Sequence, residues 1–275
     1  MTAASPRRRD GGRVGWIPRI QYLPGDSPLH RANPIAKLGL LVGATVTVFL
    51  LDRTWELLLA LGVLLALFPV ARLRWWDLRA ASRFFITFSV MLMLLHAFFV
   101  HAGAVAWEAR AGPIHVLVTW GGMELGLHMV ARFLVVVLGS FLFVATTEPN
   151  ALAHALMGAG VPYRAGFALV LALRLMPLLR SEAGAVREAQ AARGLAVDRP
   201  GPAAAMRSVR STFMPMLVAS LSRVDSLVIS MEGRAFGRHP TRTFLREVPW
   251  RAGDATILLL GVVLPVLALA ARWMF

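Results

Sequence analysis

Apolar residues are arranged along the chain in two ways. Five stretches, approximately 35–51, 54–71, 84–101, 123–147 and 255–272, are nearly continuous apolar runs. Each is long enough, near the lower limit, to cross about 30 Å of hydrocarbon. Between the fourth and fifth runs the apolar residues are spaced instead. Leu217, Leu221, Val224, Val228, Met231 and Ala235 recur at alternating steps of four and three, which places them on one seam of a helix. Leu171, Leu175, Leu178, Ala185, Ala189 and Ala192 form a similar seam, broken at one step by Glu182.

This pattern predicts an all-α polytopic membrane protein with about five transmembrane helices and two long amphipathic helices. The segments are 1–34, an N-terminal stretch; 35–147, the first four spans; 148–253, the amphipathic region; and 254–275, the last span. The first amphipathic helix should start after Pro162, bend at Pro177, and end at Gly194 ahead of the breaker run Asp198-Arg199-Pro200-Gly201-Pro202. The second should run from about Ala203 to Phe236, with Gly237 and Pro240 as stop signals.

Composition supports the membrane reading. Of 275 residues, 57% are hydrophobic and 16% charged, against roughly a quarter charged in a soluble domain. The absence of cysteine excludes disulfide frameworks, thiolate metal sites and thiol catalysis. The formal charge is +14, almost wholly from arginine, and its distribution orients the chain. With the N-terminus inside, only Arg53, Arg110 and Arg272 fall in outward segments and Arg132 inside a span. The other basic residues then lie on the cytoplasmic side, the positive-inside arrangement. Arg7, Arg8, Arg9 and Arg13 are not followed by a signal-peptide h-region, so this stretch reads as a retained cytoplasmic tail.

Two arginine triplets stand out: Ala192-Arg193-Gly194 and Gly233-Arg234-Ala235, 41 positions apart, each at the end of an amphipathic helix. A cation near a helix C-terminus followed by glycine is an ordinary cap. Small flanking residues also leave the guanidinium unshielded, free to enter a groove on another protein and bind carboxylates or carbonyls bidentately. A pair of such tips suits a twofold or pseudo-twofold partner.

Further residues give these tips a context. Leu29-His30-Arg31 with Asn33-Pro34 and Lys37 is followed by Thr146-Thr147 with Pro149, Gly160-Val161-Pro162 and Leu173-Arg174-Leu175-Met176-Pro177. Gln190-Ala191-Ala192-Arg193-Gly194 and Met231-Glu232-Gly233-Arg234-Ala235 complete the series. From about Ser27 to Gly237 the order and spacing resemble the transmembrane T component of energy-coupling factor (ECF) transporters, ABC-type importers of vitamins and transition-metal ions. The resemblance implies a multi-pass subunit of a bacterial or archaeal plasma membrane. It also implies that Arg193 and Arg234 end coupling helices docked on two cytoplasmic ABC ATPase subunits, beside a separate substrate-binding integral membrane subunit. The second triplet is Gly-Arg-Ala where the family more often has Ala-Arg-Gly, and Ala32, Asn33 and Ile35 stand where Leu, Asp and Arg are usual.

Glu124, His128 and Arg132 share a face of the fourth span at steps of four. A charge at that depth needs protein or water around it, so the three read either as a structural polar cluster or as a contact for the substrate-binding subunit. His96, His101, His115 and His128 contain no i, i+3 or i+4 pair, so no metal site is expected. Trp75, Trp76, Trp107, Trp120 and Trp273 lie near span ends as interfacial anchors. No cofactor is implied. No G-x-x-x-x-G-K-[ST] loop occurs, so ATP should be hydrolysed by partner subunits. The arginines lack the aromatic interleaving of a nucleic-acid surface, and lipid headgroups and a protein partner account for them better. An ordinary ABC importer permease could match Glu188-Ala189 with Gly194, but its downstream apolar-x-Leu-Pro is missing. A non-transport membrane scaffold would explain the charge without the ordered motifs.

Overall fold

A computed structural model describes residues 22–73, 79–101, 103–111, 114–194, 202–239 and 248–274. The tail arginines Arg7, Arg8, Arg9 and Arg13, the tryptophans Trp75 and Trp76, the breaker residues Asp198 to Gly201, Pro240 and the side chain of Trp107 lie outside the described residues. The elements in chain order are α1 (Pro28–Arg31), α2 (Pro34–Leu50), α3 (Thr54–Val70), α4 (Arg79–Phe99), β1 (Val105–Ala111), β2 (Ile114–Thr119), α5 (Trp120–Thr146), α6 (Pro149–Gly158), α7 (Tyr163–Ala192), α8 (Pro202–Gly233) and α9 (Ala252–Met274). They fall into two units, one running to Thr147 and resuming at Trp250, the other spanning Glu148–Pro249.

The first unit is a helical bundle, and α2, α3, α4, α5 and α9 coincide with the five apolar runs. Pro34 at the first helical position, with the Asn33 side chain accepting from Ile35 N–H at 2.9 Å, starts α2, since both supply what a helix N-terminus lacks. The most extensive helix pair is α2 with α9. Gly39 and Gly43 lie one turn apart on α2 and meet Gly261 of α9, where an added Cβ would stand 2.7 Å from the Gly39 carbonyl oxygen. This is the small-xxx-small packing that lets membrane helices touch backbone to backbone. The Phe68 and Phe141 rings stack at 6.3 Å between α3 and α5. Outward apolar side chains stay open, Phe49 at 60% and Ile86 at 63%, as lipid-facing positions require.

Among the described residues, four helical segments are long and apolar enough to cross a membrane: Ser82–Phe99, Trp120–Thr146, Val209–Gly233 and Ala252–Met274. The helices α2 and α3 have 17 residues each, about 26 Å of rise. The segment within α8 is the least apolar of the four, and the sequence reading places it outside the hydrocarbon.

Two elements depart from the expected pattern. An antiparallel hairpin, β1 with β2, fills the loop before α5, pairing Ala111 with Ile114 and Glu108 with Leu117. In the second unit the short helix α6 precedes α7, and Met157 of α6 packs on the buried Gly166. The long helix α7 begins at Tyr163 as expected and continues through Pro177. The helix α8 ends at Gly233, three residues before the expected stop at Phe236.

Candidate functional site

Both arginine tips are built by the same turn. At the end of α8, Phe236 N–H donates to the Met231 carbonyl at 3.0 Å and Ala235 N–H to Glu232 at 2.9 Å. With Ala235 left-handed at φ 54°, this is a complete Schellman motif, and it stops the helix early. At the end of α7, Gly194 N–H donates to Ala191 at 3.0 Å and Gly194 is left-handed at φ 78°. Arg193 and Arg234 therefore occupy equivalent C-cap positions, one residue beyond the last helical turn. The third residue of each triplet carries the left-handed φ, at no steric cost for Gly194 and at a cost for Ala235. All six triplet residues are exposed. A Cβ added at Gly194 or Gly233 would meet nothing within 4 Å.

The helices carrying the tips run antiparallel. Phe236 packs on Phe167 at 4.6 Å and on Tyr163 at 5.8 Å, and Arg164 donates to the Gly237 carbonyl at 3.1 Å. Further along α7, Glu182 is ion-paired with Arg223 of α8. The side chains keep 24% and 33% exposure, and one oxygen of Glu182 and one nitrogen of Arg223 are buried without a partner.

The seams differ from those expected on apolar spacing. On α7 the partly buried positions include Leu175, Leu179, Glu182, Val186 and Gln190; on α8 they include Met216, Ser220, Arg223, Leu227 and Met231. Each α8 position lies 41 residues after its α7 counterpart, the offset that separates the two arginines. Of the expected seams Leu171, Leu175 and Met231 are partly buried, whereas Leu217, Leu221, Val224 and Val228, each one residue off a packed position, are 42% to 58% exposed. Glu182, which breaks the apolar seam of α7, belongs to the packed one. A charge at 182 and an opposite charge 41 positions later was the signal available in the sequence for this pair.

Glu182 and Arg223 each precede their tip by 11 residues. That distance is about 16 Å of helix, and antiparallel axes carry the two arms in opposite directions. The ion pair therefore marks a local pseudo-twofold centre, with one exposed guanidinium at the end of each arm, up to about 33 Å apart.

In the first unit, Arg132 Nη2 donates to the Leu51 carbonyl at 2.9 Å and lies 2.9 Å from His128 Nε2, while its Cζ stands 5.4 Å from the centre of the Phe49 ring. Since Nε2 faces a donor, Nδ1 carries the His128 ring proton and faces Thr54 Oγ1 at 3.4 Å. Leu51 is the C-cap of α2, so Arg132 places its charge on the negative end of that helix. Glu124, on the same face of α5, is exposed and outside this set.

Other motif residues converge at the opposite end of α2. Lys37 Nζ donates to the Thr146 carbonyl at 2.9 Å, closing the end of α5. Asp254, 2% exposed, accepts from Asn33 N–H and Arg251 N–H, both at 2.8 Å. The second contact is the N3-to-N-cap half of a capping box. Asp254 is not among the residues the sequence singles out, although an acid immediately before the last apolar run is a recognisable helix-start signal.

The fold and these arrangements define a class, a polytopic α-helical membrane protein with an inserted helical pair that ends in two exposed arginines. The family described as cobalt transport protein, CbiQ, matches residues 25–243, and the chain belongs to it. Among curated relatives, "Energy-coupling factor transporter transmembrane protein EcfT" of Streptococcus equi is 26% identical over 254 residues, covering 90% of this chain and 93% of that protein. The proteins of the same name from Limosilactobacillus fermentum and Acidaminococcus fermentans are each 28% identical, covering 91% and 92% of this chain and 96% of each relative.

Proposed function

We propose that the chain is the transmembrane component of an energy-coupling factor importer, a non-catalytic subunit that passes ATP-driven motion from two cytoplasmic ABC ATPases to a substrate-binding membrane subunit. The observation that carries this reading is the pair of equivalent arginine tips set about the Glu182–Arg223 centre. Two copies of an ATPase present the same groove twice, related by a twofold axis, and a pseudo-twofold pair of arms fits such a partner. Each guanidinium would insert beyond its small neighbours and bind carboxylates or helix-end carbonyls, a charge-assisted contact of about 1.5–3 kcal/mol. As the ATPases close, the arms move with them.

The open apolar seam of α8 and the outward faces of the bundle would receive the substrate-binding subunit and lipid. Arg132, held on the end of α2, serves the bundle itself. The cargo, a vitamin or a transition-metal ion, is chosen by the partner. The subunit lies in a bacterial or archaeal plasma membrane with its N-terminus and its α7–α8 pair on the cytoplasmic side.

Affinity purification of the tagged chain from gently solubilised native membranes tests the reading. One or two P-loop ATPases and a small hydrophobic membrane protein should co-purify. Arg193→Ala with Arg234→Ala should lose the ATPases more completely than either single change, and undiminished ATPase recovery with the double variant would sink the proposal.

A further inference from the structure

A second basic feature lies in the bundle. A cleft of about 650 Å³ is lined by Arg31 at the end of α1, Arg72 after α3, and Arg251 before α9, together with Asp26, Gly253 and Asp254 and the apolar Pro28, Ala32 and Ile257. Its size suits a small-molecule or headgroup site. The three arginines come from parts of the chain far apart in sequence and meet at one end of the spans.

Asp26 and Asp254 offset part of this charge and leave the three guanidiniums one positive charge in excess among the lining residues. Both Asp254 oxygens are occupied by the backbone N–H groups of Asn33 and Arg251. Asp26 is 85% exposed and touches Arg31 only at 3.5 Å. Arg251 reaches the Arg31 carbonyl at 3.5 Å, while the Arg72 guanidinium makes no ion pair among the described residues. Arg72 is left-handed at φ 55° because it closes the cap of α3, with Arg72 N–H on the Pro69 carbonyl at 3.0 Å and Leu73 N–H on the Phe68 carbonyl at 3.3 Å, and this turn fixes its place at the cleft. The first N–H groups of α9 add donors without intrahelical acceptors, and Gly253 has open space where a Cβ would stand.

We propose that this cleft binds the phosphate-bearing headgroup of one anionic phospholipid. Arginine forks match phosphate oxygens bidentately, and basic pockets at the ends of spans hold such headgroups. The apolar lining residues Pro28, Ala32 and Ile257 offer an acyl chain a surface to lie against. That lining favours a lipid over free phosphate, which would gain nothing from it. The proposal needs only the membrane setting of the bundle and is independent of ATPase docking.

The full chain, purified in mild detergent, would be titrated with phosphatidylglycerol or phosphatidylcholine and examined by native mass spectrometry, with inorganic phosphate as competitor. The expected result is one retained phosphatidylglycerol per chain in preference to phosphatidylcholine. Retention should fall about fivefold for Arg72→Gly and for Arg251→Gln separately, and by about a hundredfold when Arg31→Gln is added to both. Arg72→Gly keeps the left-handed backbone without strain, and Arg251→Gln is a second, independent variant. Arg272→Gln, at the other end of α9, should leave binding unchanged. Equal retention of the two lipids by the unaltered chain needs no variant and would overturn the proposal, as would retention unaffected by both single changes. Phosphate displacing the signal without lipid selectivity would assign the cleft to a free anion and overturn the lipid assignment.

Discussion

The Glu182–Arg223 pair offers the sharpest test of the paired-arm geometry. Replacing Arg223 with Gln keeps length and a hydrogen-bonding head but leaves the Glu182 carboxylate, 24% exposed, without its cation. Breaking a buried pair costs about 3–5 kcal/mol, and losing an exposed one about 0–1 kcal/mol. With both side chains mostly covered yet in reach of water, about 2 kcal/mol is expected. For a chain of this length that is about 4–8 °C in the melting temperature. The assay is thermal unfolding of the purified chain in detergent, followed for Glu182→Gln, Arg223→Gln and the double variant. Each single change should lower the transition, and the double should fall short of their sum by about 1–2 kcal/mol, because the second change removes a partner already lost. Additive effects, or single shifts below about 1 °C, would refute the placement of this pair at the centre of the helical unit.

Three further changes test other features. Ala235→Gly should stabilise the end of α8 by about 0.5–1 kcal/mol, since relief of the left-handed penalty exceeds the added chain freedom, whereas Gly194→Ala should destabilise α7 by about 1 kcal/mol. Same-sign shifts in thermal unfolding would contradict the equivalence of the tips. Gly43→Leu should separate α2 from α9 and abolish a monodisperse chain on size-exclusion chromatography; a normal profile would refute the backbone contact. Arg132→Met should strip the Leu51 carbonyl of its donor and cost about 1.5–3 kcal/mol in the same unfolding assay, and an unchanged transition would remove Arg132 from its capping role.

What was legible in the sequence follows from the environment of each element. The five apolar helices α2, α3, α4, α5 and α9 could be read because lipid tolerates apolar residues all round a helix and leaves long runs. The α7 start and both tips were legible because Pro162, Gly194 and the small-Arg-small triplets act locally. The packed seam of α7 and α8 was not, because apolar spacing marks any face suited to an apolar partner and does not say whether that partner lies within the chain. Here Leu217, Leu221 and Val224 stay open while Glu182 and Arg223 turn inward. The hairpin was missed because the segment between the third and fourth apolar runs reads as a connecting loop, although Ile114 to Thr119 is rich in strand formers. The end of α8 was placed late because Ala235 carries no visible sign of a left-handed φ.

The seam between α2 and α9 sets an order on how the protein comes into being. Asn33 and Asp254 are 221 residues apart, and Gly43 finds its counterpart only in the last apolar run. At ribosomal speeds of about 5–20 residues per second, roughly ten to forty seconds separate the synthesis of the two sides. Throughout that interval the glycine groove of α2 lacks its α9 counterpart, while the whole α7–α8 unit is being made. The helix α2 is thus a waiting template, and the bundle becomes complete only when its last helix arrives.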